Sequence, residues 1–286
     1  MSVVQKIISI LILCSGVFYF FYIFYRAFRS KESFLEERGK LAALSPGEFL
    51  IYFIGSTGIS DFLMNTLMIK RFKLTEDEKL PGTLVACCLV PCSIFAYSFI
   101  SRGESVDMRG LICCAAAVAL GSFLGSRLLS KIDGKKIKTF MTVALIFSFI
   151  ALIVKMIVTS GATGTATALV GPRLVIAVVL CFITGLINMF GIPMKPTWTA
   201  LFLILGLSPI SALTMVQSVG YFGPMSGGFN ILKMGKYHQK TALCAAFFGT
   251  LGALMGVTLA LTISAGVLNI ILLIVMALAI VSMIFS

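Results

Sequence analysis

From Ile7 to Tyr25 the chain carries no charged residue, and runs of similar length recur near 82–101, 110–130, 137–158, 211–232, 240–262 and 266–285. A run of about 20 apolar residues spans the hydrocarbon core of a bilayer as a helix. Repeated this often, such runs leave a polytopic membrane protein as the fold class. Composition agrees: 59% of the 286 residues are hydrophobic, only 12% are charged and mean hydropathy is +1.05. A soluble domain carries about 25% charge.

The net charge of +12 resides mostly in short loops between the apolar runs, a pattern that sets membrane orientation. No aromatic-interleaved basic patch of a single-strand binder is present, so no nucleic acid is expected as a partner. The eight cysteines all lie in apolar runs, with no CxxC pair, and His238 is distant from them in sequence. They are expected to be small apolar packing residues, with neither metal nor other cofactor. No HExxH occurs, and no Ser/His/Asp set is assembled within the spans, so the chain is not expected to be an enzyme.

Two stretches break the apolar pattern. Gly55-Ser56-Thr57-Gly58-Ile59-Ser60-Asp61 is followed by Asn65, and Asn188-Met189-Phe190-Gly191-Ile192-Pro193-Met194-Lys195-Pro196 lies in the second half. Each places one ionisable side chain, Asp61 or Lys195, where hydrocarbon is expected. Broken backbone inside a bilayer is tolerated only where protein or a water-filled cavity surrounds it. Paired interruptions in corresponding positions of two halves point to a transporter's binding site.

The halves match at an offset of 131–133 residues. Gly121-Ser122-Phe123-Leu124-Gly125 corresponds to Gly252-Ala253-Leu254-Met255-Gly256, Cys113-Cys114 to Cys244-Ala245, Pro91 to Pro224 and Gly58-Ile59 to Gly191-Ile192. The organisation expected is an N-terminal membrane anchor helix at 1–30, a charged juxtamembrane linker at 31–45, a first transporter repeat at 46–158, a Thr/Gly/Ala linker at 159–171 and a second repeat at 172–286. Pro46 suits the first turn of a helix.

Orientation depends on whether the interrupted runs cross. If both fold back as hairpins, loops 26–47, 70–81, 131–138 and 233–240 share one face and hold sixteen of the 23 basic residues. If both cross, the bias disappears. The positive-inside rule therefore favours hairpins. Each repeat then consists of one broken or re-entrant hairpin plus three transmembrane helices, and the two repeats are inverted. This predicts an all-α, multi-pass protein of the cell membrane with its C-terminus in the cytoplasm.

The Arg102-Gly103-Glu104-Ser105-Val106-Asp107 turn precedes a small-residue helix with Gly121, Gly125 and Arg127, and a glycine-rich interruption opens each half. In these features residues 46–286 resemble the TauE/SafE sulfite exporter family of permeases, also called the toluene-sulfonate uptake permease group. The family pattern is Gly-Gly-Gly with a Pro a few residues on. Here the first half has Gly58-Ile59-Ser60-Asp61 without Pro, and the second has Gly191-Ile192-Pro193. The resemblance implies a permease for sulfite, sulfonates or related small organic anions.

Half-helix N-termini expose free N–H groups that suit an anion. The expected solute site therefore comprises Ser56, Thr57, Gly58, Ser60, Asp61, Asn65, Asn188, Gly191, Lys195 and Gln217, with Ser218 alongside. Lys195 would attract a small anionic solute, and Asp61 would either neutralise Lys195 or carry a coupling proton. The other expected partner is the lipid bilayer, and a homo-oligomer is compatible with the sequence. Two alternatives stay open: a carrier of a cation or amino acid that uses Asp61, and a non-transporting membrane scaffold or channel.

Overall fold

The fold is given by a computed structural model, which describes residues 3–102, 107–129 and 164–262. Apart from one bridge between Ala166 and Leu207, the described residues form helices and their connections. The expected spans at 137–158 and 266–285, with Lys155, lie outside the described residues.

The N-terminal run is a helix, α1 (Val3–Arg29), about 40 Å long at 1.5 Å per residue. One face, with Ile12, Tyr19 and Ile23, is buried, and the other presents Ile7, Leu11, Phe18 and Phe21 outward. Ser15 and Tyr221 hydroxyls meet at 2.7 Å and help dock it. The charged linker forms only a short helix, α2 (Lys31–Glu36).

The first interrupted run becomes α3 (Leu41–Gly55) and α4 (Asp61–Arg71). Pro46 does not open α3 as expected. The helix starts at Leu41, behind the extended Lys40, and Pro46 lies inside it, with the Ser45 hydroxyl donating to the Leu41 carbonyl at 2.7 Å. The two arms turn back on each other: Gly55 lies against Asp61, and Gly47 lies against the Met68 sulfur. Residues 47 and 68 would be about 30 Å apart in a straight helix.

The expected span at 82–101 is two helices, α5 (Leu80–Cys88) and α6 (Pro91–Arg102), bent by 42°. Pro91 explains the break, because proline lacks an N–H and disfavours helix for the residue before it. Next comes α7 (Met108–Leu129).

The second interrupted run is α8 (Pro172–Asn188) and α9 (Lys195–Ile204). It also folds back, with the Trp198 indole donating to the Thr184 hydroxyl at 2.7 Å. A long helix, α10 (Pro209–Met234), follows and absorbs Pro224 without ending. The last described stretch runs through α11 (Gln239–Cys244), a π turn (Ala245–Gly249) and α12 (Thr250–Thr262). Among the described residues, α1, α7 and the continuous stretch Gln239–Ala260 are long and apolar enough to cross a membrane.

Two helix contacts stand out by their likeness. A Cβ on Gly121 or Gly125 of α7 would collide with the Phe182 or Leu186 carbonyl of α8. A Cβ on Gly252 or Gly256 of α12 would collide with the Phe49 or Phe53 carbonyl of α3. Small residues let helix backbones approach this closely.

Candidate functional site

Both breaks are turned by a glycine at positive φ, Gly58 at 90° and Gly191 at 85°. That region is costly for residues with a Cβ. After each turn a new helix starts, and its first residue is ionisable: Asp61 opens α4 and Lys195 opens α9. The Ser60 hydroxyl caps α4 by accepting the Leu63 N–H at 3.4 Å. Asp61 suits a helix N-terminus, whereas a cation there costs about 0.3–1 kcal/mol. Local helix stability therefore does not account for Lys195.

The two side chains meet. Lys195 Nζ lies 2.9 Å from Asp61 Oδ1, and their side chains are 9% and 2% exposed. The ammonium also sits 4.7 Å from the centre of the Phe95 ring, in range for a cation–π contact. The other carboxylate oxygen, Asp61 Oδ2, accepts from the thiols of Cys88 at 3.0 Å and Cys92 at 3.2 Å. The bend between α5 and α6 directs both thiols at one atom.

A cavity of about 20 Å³, room for roughly one water, lies between the hairpin tips. Ser60, Asp61, Asn188 and Lys195 line it, together with Cys88, Cys92, Trp198, Gly220 and Pro224. These four are the expected site residues that the fold brings together around it. The remaining ones shape the turns instead. Ser56 and Thr57 hydroxyls donate back to the Phe53 and Ile54 carbonyls at 2.7 Å each. Gln217 donates to the carbonyls of Gly55 and Ser56, both at 2.8 Å, and so pins the first turn to α10. Gly58 and Gly191 supply backbone conformation. Asn65 lies away from the cavity, beside the buried Glu48. Ser218 is buried and does not line the cavity.

Three contributors are invisible to the sequence reading. Cys88 and Cys92 read as packing residues, yet they hydrogen-bond Asp61. The sequence reading assigns Glu48 no role, yet it is fully buried. An i, i+4 spacing of Cys88 and Cys92 was the only available signal, and it does not say what faces them. Asp61, Cys88 and Cys92 also form a set of ligand atoms within 4.8 Å of one another. The Lys195 ammonium at 2.9 Å occupies the carboxylate that a cation would need.

A larger, open cavity of about 370 Å³ lies among the loops and is lined by Glu36, Glu37, Arg38, Lys73, Lys79 and His238. There Glu37 accepts the N–H groups of Gln239 and Lys240, each at 2.8 Å, and holds the linker to the start of α11. Burial pushes the Glu37 carboxyl above its usual range and lowers His238 to about 4. Arg127, at the end of α7, stacks 4.2 Å from the Phe123 ring centre.

Comparison of the chain with protein-family models, with curated proteins and with solved structures finds no match.

Proposed function

We propose that this protein is a membrane permease that moves a small anion by alternating access between the two hairpin tips. The buried Asp61–Lys195 pair carries this reading. Ionisable groups inside a membrane are costly and mark solute or ion pathways. The two side chains cancel each other's charge, but each helix N-terminus adds roughly half a positive charge. The site therefore retains a net positive field that suits an anion, which would compete with Asp61 for Lys195. A cation or amino-acid carrier built on Asp61 is less well supported, because Lys195 and two thiols already occupy that carboxylate.

An inverted repeat gives this site its setting. In this reading α3 pairs with α8, α4 with α9, the bent α5–α6 with α10, and α7 with the stretch from α11 to α12. Supporting this, Gly121 and Gly125 meet Phe182 and Leu186 as Gly252 and Gly256 meet Phe49 and Phe53, at offsets of 131 and 133 residues. The arms of the hairpins, 10 to 17 residues long, reach about 15–25 Å into a core of about 30 Å. Their tips then lie near the midplane. With a cavity of about 20 Å³, this is a closed form that must open before a solute enters.

Sulfite and related sulfur oxyanions are the proposed solutes, on the residues that resemble the TauE/SafE family. The cell membrane, with a cytoplasmic C-terminus, is the proposed location. Uptake of sulfite by proteoliposomes tests the function. Saturable flux that falls in Lys195→Ala supports it, and equal flux through empty vesicles rejects it. Labelling of Asp77→Cys and Ser105→Cys tests the topology: the two should react from opposite sides.

A further inference from the structure

Glu48 lies on α3, two turns before the break, and none of its surface is exposed. Among the described residues its one hydrogen-bonding neighbour is the Asn65 amide, and neither carboxyl oxygen makes a well-formed hydrogen bond. That amide lies one turn beyond Asp61 on α4, and among the described residues it has no partner other than Glu48. Among the described residues, the other ionisable groups that face Glu48 are Asp61 from α4, Cys87 from α5 and Cys244 from α11. None of them is a cation.

A carboxylate in this setting has given up its water with only the neutral Asn65 amide, among the described residues, to replace it, at a cost of several kcal/mol. A bound proton removes that cost. A hard divalent cation would also do so, but it takes about six oxygens, and Glu48 and Asn65 together supply three. Asp61 is different. An ammonium and two thiols already hold it, and all three favour the charged form. The mobile proton therefore belongs on Glu48 and not on the central aspartate.

We propose that Glu48 is a proton-binding site within the membrane, and that its loading and unloading are coupled to opening of the Asp61–Lys195 site. The coupling part rests on the carrier reading above. The path is short: Glu48 sits beside Asn65, Asn65 follows Asp61 by one turn of α4, and Asp61 holds Lys195. The step needs no co-reactant. A carboxylate oxygen of Glu48 takes a proton from water on one side, and the O–H bond later releases it to water on the other. Uncharged Glu48 lets the hairpin arms pack, as seen. Ionised Glu48 draws water between α3 and α4 and loosens the turn that Gln217 pins.

The test uses the full chain in lipid nanodiscs. Infrared difference spectra over a pH series should show the carbonyl stretch of a buried carboxylic acid. This band should vanish in Glu48→Gln and shift in Glu48→Asp, the variant that still identifies it should Glu48→Gln fail to fold. A band that persists unchanged in Glu48→Gln and Glu48→Asp overturns the proposal. In proteoliposomes an imposed proton gradient should accelerate sulfite uptake by the wild type. Relative to its own gradient-free rate, Glu48→Gln should lose that acceleration, and retention of the full response overturns the coupling. A wild type that moves no sulfite overturns the carrier reading for this anion and with it the coupling, while the infrared band still decides whether Glu48 binds a proton.

Discussion

Lys195 Nζ and Asp61 Oδ1 lie 2.9 Å apart, although 133 residues separate them in the chain. Each opens a different helix, and neither has appreciable contact with solvent. Removal of one partner leaves the other as an uncompensated buried charge, which costs about 3–5 kcal/mol. Asp61→Asn and Lys195→Met should each lower the thermal stability of detergent-purified protein. The double variant should recover much of the loss, because a neutral pair leaves no orphan charge. A double variant no more stable than the worse single one would show that the pair is not coupled. The same logic refines the flux test: loss of transport in Lys195→Ala counts only when protein yield and monodispersity are matched.

The glycine contacts predict a second pattern. Gly121→Val and Gly252→Val each drive a side chain into a facing carbonyl. Overpacking of this kind costs about 1–3 kcal/mol. Both should reduce the melting temperature by similar amounts, while Gly121→Ala and Gly252→Ala, which add only a Cβ at the same contacts, should be milder. Melting curves in one detergent check the ordering.

Gln217 holds two carbonyls of the first turn. Gln217→Leu leaves the buried Ser56 carbonyl without its donor, at about 1–3 kcal/mol, and the Gly55 carbonyl with the Gly58 N–H at 3.1 Å. The expected result is a loosened hairpin tip, seen as faster hydrogen exchange at Gly55–Ser60, together with slower sulfite flux. Unchanged exchange there would remove Gln217 from its positioning role.

The loop cluster sets an acid limit. His238 is lowered to about 4 from an ordinary 6.5, so the folded state favours its neutral form. That contribution is complete above pH 6.5 and is lost as pH falls towards 4. Docking of the 31–40 segment on α11 should weaken over this window, and His238→Gln should flatten the decline. Glu37 acts in the opposite sense, because burial raises it, and Glu37→Gln separates the two. Thermal melts at about pH 7 and about pH 4 supply the measurement.

Much of the fold was legible in the residues. Apolar runs longer than about 18 residues can be satisfied only as helices in a bilayer, which accounts for α1, α7 and the stretch from Gln239. Gly58, Gly191, Asp61 and Lys195 were legible too, since each interrupts an otherwise apolar run. Hydropathy does not record the 42° bend before Pro91 or the start of α3 at Leu41, because both halves of a broken run are equally apolar.

By itself, the sequence determined that this chain is helical, with runs long and apolar enough to cross a membrane and two interrupted, oppositely charged stretches. The physical reason is local: burial of a backbone in lipid depends on residue type alone. The charge distribution already favoured hairpins for those stretches; only the tertiary structure decided that Asp61 meets Lys195, that Cys88 and Cys92 turn to the same carboxylate, and that Glu48 is buried beside Asn65. These are contacts between segments far apart in the chain, and the uniform apolarity of the helices around them carries no information about which faces meet.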